Sequence, residues 1–271
     1  MTLEILQNPA IPEVELDFVG SIAAPFYWVL RNAEGKDRLR NGTVFFINTG
    51  TSIVAATACH VIDQCMEDAK TREFVQCMIG GVGETLYFKI EDRLIDRNPK
   101  MDLATLQVTQ QEVAELGCSI LSGLQPHWPP PLAQPEHAVI LCGFPGKSRS
   151  EIGPSEHMFG RVAIGTNVSN SRDAKISLLV EREGMYRCLG EGVLPENYNF
   201  GGISGGPLVA LAERAGIRAW TAAGVIVNGP NPGDDPSQQF ISGMEVFYAT
   251  PIHFIKADGH LDIDLWNNSN P

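Results

Sequence analysis

Five prolines crowd the stretch Gln125–Glu136 (QPHWPPPLAQPE), near the middle of the chain. Proline has no backbone N–H and a fixed φ, so neither a helix nor a central strand can run through this stretch. The chain therefore divides into an N-terminal half near 15–124, a linker at 125–136 and a C-terminal half near 137–257. Both halves are made of short segments rich in Val, Ile, Phe and Thr: Gly42–Ile47, Ser52–Thr57, Thr85–Ile90, Leu103–Val108, Ala138–Leu141, Gly160–Ile164, Lys175–Val180, Gly206–Ala210, Ala222–Val227 and Glu245–Ala249. Turn clusters such as Asn48–Thr51 and Asn228–Gly233 separate many of them. Helical spacing is confined to Val61–Thr71, Gln110–Leu116 and a C-terminal stretch, Pro251–Ala257. Many short strands with few helices predict an all-β chain built as a sandwich or barrel. Gly80–Gly83 lacks the GK[ST] ending and following helix of a phosphate loop, so it reads as a hairpin turn.

Charge and cysteine usage narrow the function classes. With 20 basic against 32 acidic residues in 271, the net charge is −12, a poor match to a phosphate-tracking surface, so no nucleic-acid partner is expected. No run approaches the ~20 apolar residues of a membrane span, and MTLEILQNPA has neither the basic nor the apolar region of a signal peptide. A cytoplasmic protein with no membrane partner is the expectation. Cys59, Cys65, Cys77, Cys118, Cys142 and Cys188 form no CxxC pair and read as buried, reduced thiols. The six histidines show no HxxH or HxxxH spacing, so neither a metal nor another cofactor is expected.

Three local patterns carry chemistry: His60 after a β-branched strand (TACHVI), Asp102 opening an alternating strand (MDLATLQV), and Ser204 among four glycines (GGISGGPL). Singly, each has an ordinary explanation as a packed histidine, a turn aspartate or a tight Gly-rich connection. Together they are the groups that serine nucleophilic catalysis requires. A serine hydroxyl needs a base to take its proton. Histidine, with an ordinary pKa of ~6.5, is partly neutral near pH 7 and can serve. A carboxylate fixes the ring tautomer and stabilises the imidazolium. Glycines beside the serine let backbone N–H groups face the substrate as an oxyanion hole. Asp92 and Asp96 compete for the carboxylate role, and the apolar strand directly after Asp102 favours Asp102.

GISGGPLV, ATACHVI and DLATLQV resemble the three signatures of trypsin-like serine proteases, in that family's order His, Asp, Ser, over roughly residues 18–257. VILCGFPG at 139–146 resembles the start of the second barrel in the cytosolic and HtrA-type branches, and GVIVNG at 224–229 resembles the substrate-pairing strand. The segment Ala249–Ile252 resembles the approach to the final helix. The resemblance implies two six-stranded antiparallel β-barrels with a short C-terminal helix, a site between them and the linker as crossover. It makes His60 the general base, Asp102 its orienter and Ser204 the nucleophile. The N–H groups of Gly202 and Ser204 become the oxyanion hole, and Val227, Asn228 and Gly229 the strand that pairs with an extended peptide. Tyr198, with Asn199 and Phe200 beside it, falls at the floor of the primary specificity pocket. None of these is acidic, so the residue before the scissile bond is expected to be small or medium and uncharged.

The departures from the family matter too. Ile203 stands where secreted relatives carry the aspartate that receives a new N-terminus, and Asp17 precedes Phe18–Ser21 without a basic cleavage site. That segment therefore reads as a structural first strand, and no PDZ-like region follows the unit. The expected function is a selective intracellular serine endopeptidase, with a protein or peptide substrate and an activating protein partner. The alternatives are a catalytically silent trypsin-fold binding module and an esterase.

Overall fold

The computed structural model describes residues 4–5, 11, 13–122, 128–153, 156–172, 174–181, 185–187, 198–214, 216–230 and 244–269. Its strands form two large sheets on either side of the proline-rich stretch, except that the N-terminal Glu4–Ile5 pairs with Pro207–Arg214 in the C-terminal sheet. In the C-terminal lobe the order runs Pro207–Arg214, Ala138–Gly143, Val162–Arg172, Lys175–Glu181, Met244–Pro251, Ile217–Asn228 and back to Pro207–Arg214, all antiparallel. This closes a six-stranded barrel, which removes free strand edges.

The N-terminal sheet runs Leu86–Phe88, Phe74–Ile79, Ala23–Arg31, Asp37–Asn48, Ile53–Thr57, Leu103–Gln107, Leu94–Asn98. It curls into a half-barrel and stays open. Its terminal strands are joined through the four-residue helix Ile90–Arg93 rather than by pairing, and one of them, Leu86–Phe88, is only three residues long. The all-β expectation holds and the architecture is compatible with a trypsin-like fold, but one lobe is a closed barrel and the other half-closed. The Gly80–Gly83 connection does join paired strands, Phe74–Ile79 and Leu86–Phe88.

Three apolar clusters explain the unbroken apolar runs in the sequence. Val44, Phe46 and Ala55 fill the N-terminal lobe, and Val139, Leu141, Leu208 and Ala210 fill the barrel. The alternate residues of the same strands, including Phe45, Ile47, Val54, Ile140, Cys142 and Val209, meet in a layer that joins the lobes. Strands covered on both faces carry apolar residues at every position. Cys59, Cys65, Cys77 and Cys142 are buried free thiols and Cys118 is a half-buried one, whereas Cys188 lies outside the described residues. Among the described residues no helix is long and apolar enough to cross a membrane.

Two expectations are corrected. Phe18–Ser21 belongs not to a strand but to the helix Glu13–Ser21. Leu16 and Val19, one turn apart, are buried, Phe18 stacks on Trp220, and Glu15 and Asp17 pair with Arg218 and Arg161. The helix predicted at Pro251–Ala257 shrinks to one 3₁₀ turn, Ile252–Phe254, and the C-terminal α-helix forms later, at Ile263–Ser269. Tertiary pairing overrides helical spacing here: the Lys256 N–H donates to the His260 carbonyl (2.8 Å) instead of to Ile252, and Ile255 bridges to Leu261. The Ile255 and Ala257 carbonyls accept from Trp128 Nε1 (2.7 Å) and the Thr49 hydroxyl (2.5 Å).

The same contact region predicts acid sensitivity. Burial holds the His253 imidazole below its ordinary 6.5, with a backbone hydrogen bond to Pro130 acting in the opposite sense. Above ~6.5 the ring is neutral in both states and its titration leaves stability unchanged. As pH falls below that value, the unfolded chain binds the proton first and the folded state loses ground. Urea unfolding at pH ~7.5 and ~5.5 should show lower stability at the acid value, and His253→Gln should lessen the difference. An unchanged difference in that variant would contradict the assignment.

Candidate active site

His60 sits in the first turn of the helix Cys59–Ala69, whose N-cap residue, Ala58, offers no side-chain acceptor. The first N–H groups of a helix lack intrahelical partners. Asp102 supplies one from another strand connection: its Oδ1 accepts the His60 backbone N–H at 2.9 Å, and its Oδ2 faces His60 Nδ1 at 2.8 Å. One carboxylate thus caps the helix and fixes the ring, at the end of the helix where negative charge is favoured. Opposite a carboxylate Nδ1 carries the proton, which leaves the Nε2 lone pair free to act as a base.

Asp102 holds this position in a left-handed backbone conformation, φ 52°, which aspartate tolerates better than most residues. The preceding turn is held from both lobes: Asn98 Oδ1 accepts from the N–H groups of Lys100 and Met101, and the Thr250 hydroxyl donates to the Met101 carbonyl at 2.7 Å. The competing carboxylates lie elsewhere. Asp96 accepts from the Leu261 N–H and lies near His260, and Asp92 lines a separate pocket beside Phe74–Cys77.

Ser204 lies in the turn 199–206, and the hydrogen bonding of that turn orients its peptide planes. The N–H groups of Gly201, Ile203, Gly205 and Gly206 donate to Asn199 Oδ1, Phe200 O, Ile226 O and Ile203 O. Among the described residues, those of Gly202 and Ser204 have no internal acceptor. Their direction follows from their carbonyl partners. The Gly201 carbonyl accepts from Gly146 N (2.8 Å) and the Ile203 carbonyl from Gly206 N (3.0 Å). In a trans peptide the N–H points opposite to the C=O, so the Gly202 and Ser204 N–H groups are both turned away from those anchors. Positive φ at Gly202 (103°) and Gly205 (89°) makes the turn possible, a conformation glycine adopts without strain.

Thr43 locks this turn to the other lobe. Its N–H donates to the Ser204 carbonyl (2.8 Å), its hydroxyl to the Gly202 carbonyl (2.8 Å), and the same hydroxyl accepts from Phe144 N (3.0 Å). Its own carbonyl accepts from the Thr57 hydroxyl at 2.7 Å. Thr43 is fully buried. Next to it, Asn41 Nδ2 donates to the Phe144 carbonyl at 2.7 Å.

His60 and Ser204 line one cleft of about 570 Å³, within the ~300–1,000 Å³ of ordinary ligand sites. Val227, Asn228 and Gly229 line it too, beyond a register shift between Ile226 and Asn228. Tyr198 is placed in the barrel core, with its hydroxyl 2.5 Å from Ser148 Oγ and its ring edge-on to Phe200; Phe200 lines the cleft. Thr43, Asn41, Arg40 and Gln64 are site residues that the sequence motifs did not mark. Thr43 reads there only as one more β-branched residue of a strand. Burial pushes the Cys59 thiol, beside His60, up to about 11, so it stays protonated near neutral pH and is a poor competing nucleophile. Among the described residues no group of three His, Cys, Asp or Glu is arranged to hold a metal ion.

The Thr43 lock has a measurable cost when broken. Thr43→Val leaves the buried Phe144 N–H and the part-buried Gly202 carbonyl without a partner, an effect of ~1–3 kcal/mol for a buried unsatisfied group. Urea unfolding should show a loss in that range, with Thr43→Ser retaining most of the stability. A valine variant as stable as the parent would contradict it.

No known family's sequence profile matches the chain, and no curated protein matches it. One similar solved structure comes from work on the Sesbania mosaic virus VPg protein, described as intrinsically disordered with coupled folding and binding driven by aromatic interactions. It is 12% identical with a TM-score of 0.42, over 88% of this chain and 95% of that one. So loose a likeness decides nothing about the site.

Proposed function

We propose that the chain is a trypsin-like serine endopeptidase. The observation that carries the reading is the turn around Ser204, where the N–H groups of Gly202 and Ser204 are oriented by anchored carbonyls and left without acceptors. Serine acyl transfer needs two such donors beside its nucleophile. In the cleft they accompany a histidine whose Nδ1 is held by a carboxylate.

The steps follow from these groups. Ser204 Oγ attacks the scissile carbonyl as His60 Nε2 takes its proton. The negative oxygen of the tetrahedral intermediate is received by the Gly202 and Ser204 N–H groups, and Asp102 stabilises the imidazolium. The intermediate collapses as His60 returns the proton to the leaving amine, which leaves an acyl-serine. Water, deprotonated by His60, then hydrolyses the ester. The extended acyl half pairs along Val227–Gly229. Phe200, Val227, Asn228 and Gly229 carry no charge, which supports an uncharged side chain before the scissile bond. A selective processing role in the cytoplasm, with an activating partner, remains part of the proposal.

Activation by a buried new N-terminus finds no support. Ile203 is buried in the barrel core, and an α-ammonium beside it would be buried without a carboxylate, a costly arrangement. The turn is instead held by Thr43, Gly146 and Gly206.

A fluorophosphonate probe should label Ser204 in the intact chain, without cleavage near residue 17. Ser204→Ala and His60→Ala should abolish labelling and peptide hydrolysis while leaving the fold intact, and Asp102→Asn should lower kcat by up to ~10⁴-fold through the wrong tautomer. No labelling in the parent, or full hydrolysis by Ser204→Ala, would reject the proposal in favour of a silent binding module or another site. Turnover of esters but not peptides would make the chain an esterase.

A further inference from the structure

Arg149 opens the hairpin Arg149–Gly153/Glu156–Phe159, directly after the turn Gly146–Ser148. Its guanidinium donates to the Leu39 carbonyl and to Asn41 Oδ1, both at 3.3 Å. Both acceptors are neutral and both bonds are long for a charged donor. By contrast Arg31, Arg40, Arg93, Arg97, Arg161 and Arg218 each face a carboxylate, Asp37, Asp68, Glu112, Asp63, Asp17 and Glu15 respectively. Arg149 has no such partner among the described residues, although the chain carries 32 acidic side chains. The residue is half-buried, and burial lowers its pKa from the ordinary arginine value. Burying a cation without a counter-ion is unfavourable, and an anion arriving at the site relieves that cost.

Its place relative to the cleft says where the anion comes from. Asn41, which Arg149 touches, lines the cleft with Ser204. A Cβ added to Gly202 would lie 2.6 Å from Asn41 Nδ2, so Asn41 packs against the Gly202 Cα. Arg40, next along the strand, also lines the cleft, and its single carboxylate, Asp68, is 3.4 Å away and already accepts from Trp28 Nε1. Lys147 is exposed on the turn just before Arg149. In the proposed reaction the acyl half of the substrate lies along Val227–Gly229. The leaving half then departs across Ser204 toward the wall made by strand Asp37–Asn48 and the Gly146–Arg149 turn. That wall carries a local positive charge on an otherwise acidic protein, and at physiological salt charges act over only ~8 Å.

We propose that Arg149, assisted by Arg40, is a specificity residue that receives an aspartate or glutamate side chain of the substrate on the leaving-group side of the scissile bond. This rests on the serine-endopeptidase reading.

The test digests a proteome-derived peptide library with the parent chain, Arg149→Gln and Arg149→Lys, each also titrated with the fluorophosphonate probe. The parent should cut with Asp or Glu enriched about twofold to fivefold in the first few positions after the scissile bond, the size expected of a half-exposed ion pair. Arg149→Gln should lose that enrichment while still labelling at Ser204, and Arg149→Lys should keep part of it. Labelling with no acidic enrichment in the parent, or with enrichment that survives Arg149→Gln, overturns this inference and leaves the protease reading standing. Neither labelling nor cleavage removes that reading, and this inference with it.

Discussion

Thr43 stands where the two lobes meet, and the arrangement of the site depends on what its amide and hydroxyl hold. Four hydrogen bonds converge on this one buried residue, tying the strand Asp37–Asn48 to the carbonyls of Gly202 and Ser204, to Phe144 N and to Thr57. Inside a protein an unmade hydrogen bond is costly, so such a node tolerates one arrangement and penalises its neighbours. With the Gly202 and Ser204 carbonyls fixed by Thr43, and those of Gly201 and Ile203 fixed by Gly146 and Gly206, all four peptide planes of the turn are determined. The donor directions of Gly202 and Ser204 are then consequences of packing rather than of ligand binding.

The same logic recurs around the molecule. Thr49, Thr105 and Thr250 are buried and donate to the carbonyls of Ala257, Gly259 and Met101. Each joins the N-terminal half to the C-terminal segment. Between them lies the apolar layer of Phe45, Ile47, Val54, Ile140 and Val209. Threonine suits this role because its methyl packs in the layer while its hydroxyl satisfies a carbonyl that the sheet leaves over. His60 with Asp102 comes from one lobe and Ser204 from the other, and both line one cleft. Under the proposed function a slip between lobes would part the proposed base from the proposed nucleophile, and misplacement by ~1 Å can cost ~10²-fold in rate.

Local chemistry was legible in the sequence where residue type alone limits the options. Pro129–Pro131 and Pro135 lie between the two sheets, and His60 follows a strand as its motif suggested. Predicted segments such as Gly42–Ile47, Ser52–Thr57 and Leu103–Val108 lie largely in strands, whereas the strands Ala23–Arg31, Phe74–Ile79 and Leu94–Asn98 were not read from the sequence. The helical spacing at Gln110–Leu116 matches the helix Gln110–Glu115, which a Thr109/Glu112 capping box not read from the sequence begins. Long-range partners were not legible. Nothing near Thr43 signals that its hydroxyl meets Gly202, 159 residues away, or that Asn41 packs beside Gly202. The helix Glu13–Ser21 was missed because Phe18–Ser21 was read through its resemblance to the family's N-terminal segment, whereas the Leu16/Val19 spacing and the Arg161 and Arg218 partners decide its conformation. Pro251–Ala257 failed in the opposite direction, because the Lys256 N–H, which a helix would have given to Ile252, donates to the His260 carbonyl and Ile255 bridges to Leu261. Closure of the N-terminal sheet turned on the short strand Leu86–Phe88, whose pairing partner no local pattern specifies.

The central claim is that the turn around Ser204 is preset to receive a negatively charged oxygen. A crystal structure of the intact chain carrying a peptidyl phosphonate tests it most directly. The account predicts a covalent bond from phosphorus to Ser204 Oγ, with the phosphoryl oxygen ~2.7–3.1 Å from both the Gly202 and Ser204 nitrogens. It also predicts that the Gly201 and Ile203 carbonyls remain on Gly146 and Gly206, and that the peptide runs along Val227–Gly229. A phosphonate bound to another residue, or a Gly201–Gly202 peptide that must flip before the oxygen is received, would contradict it.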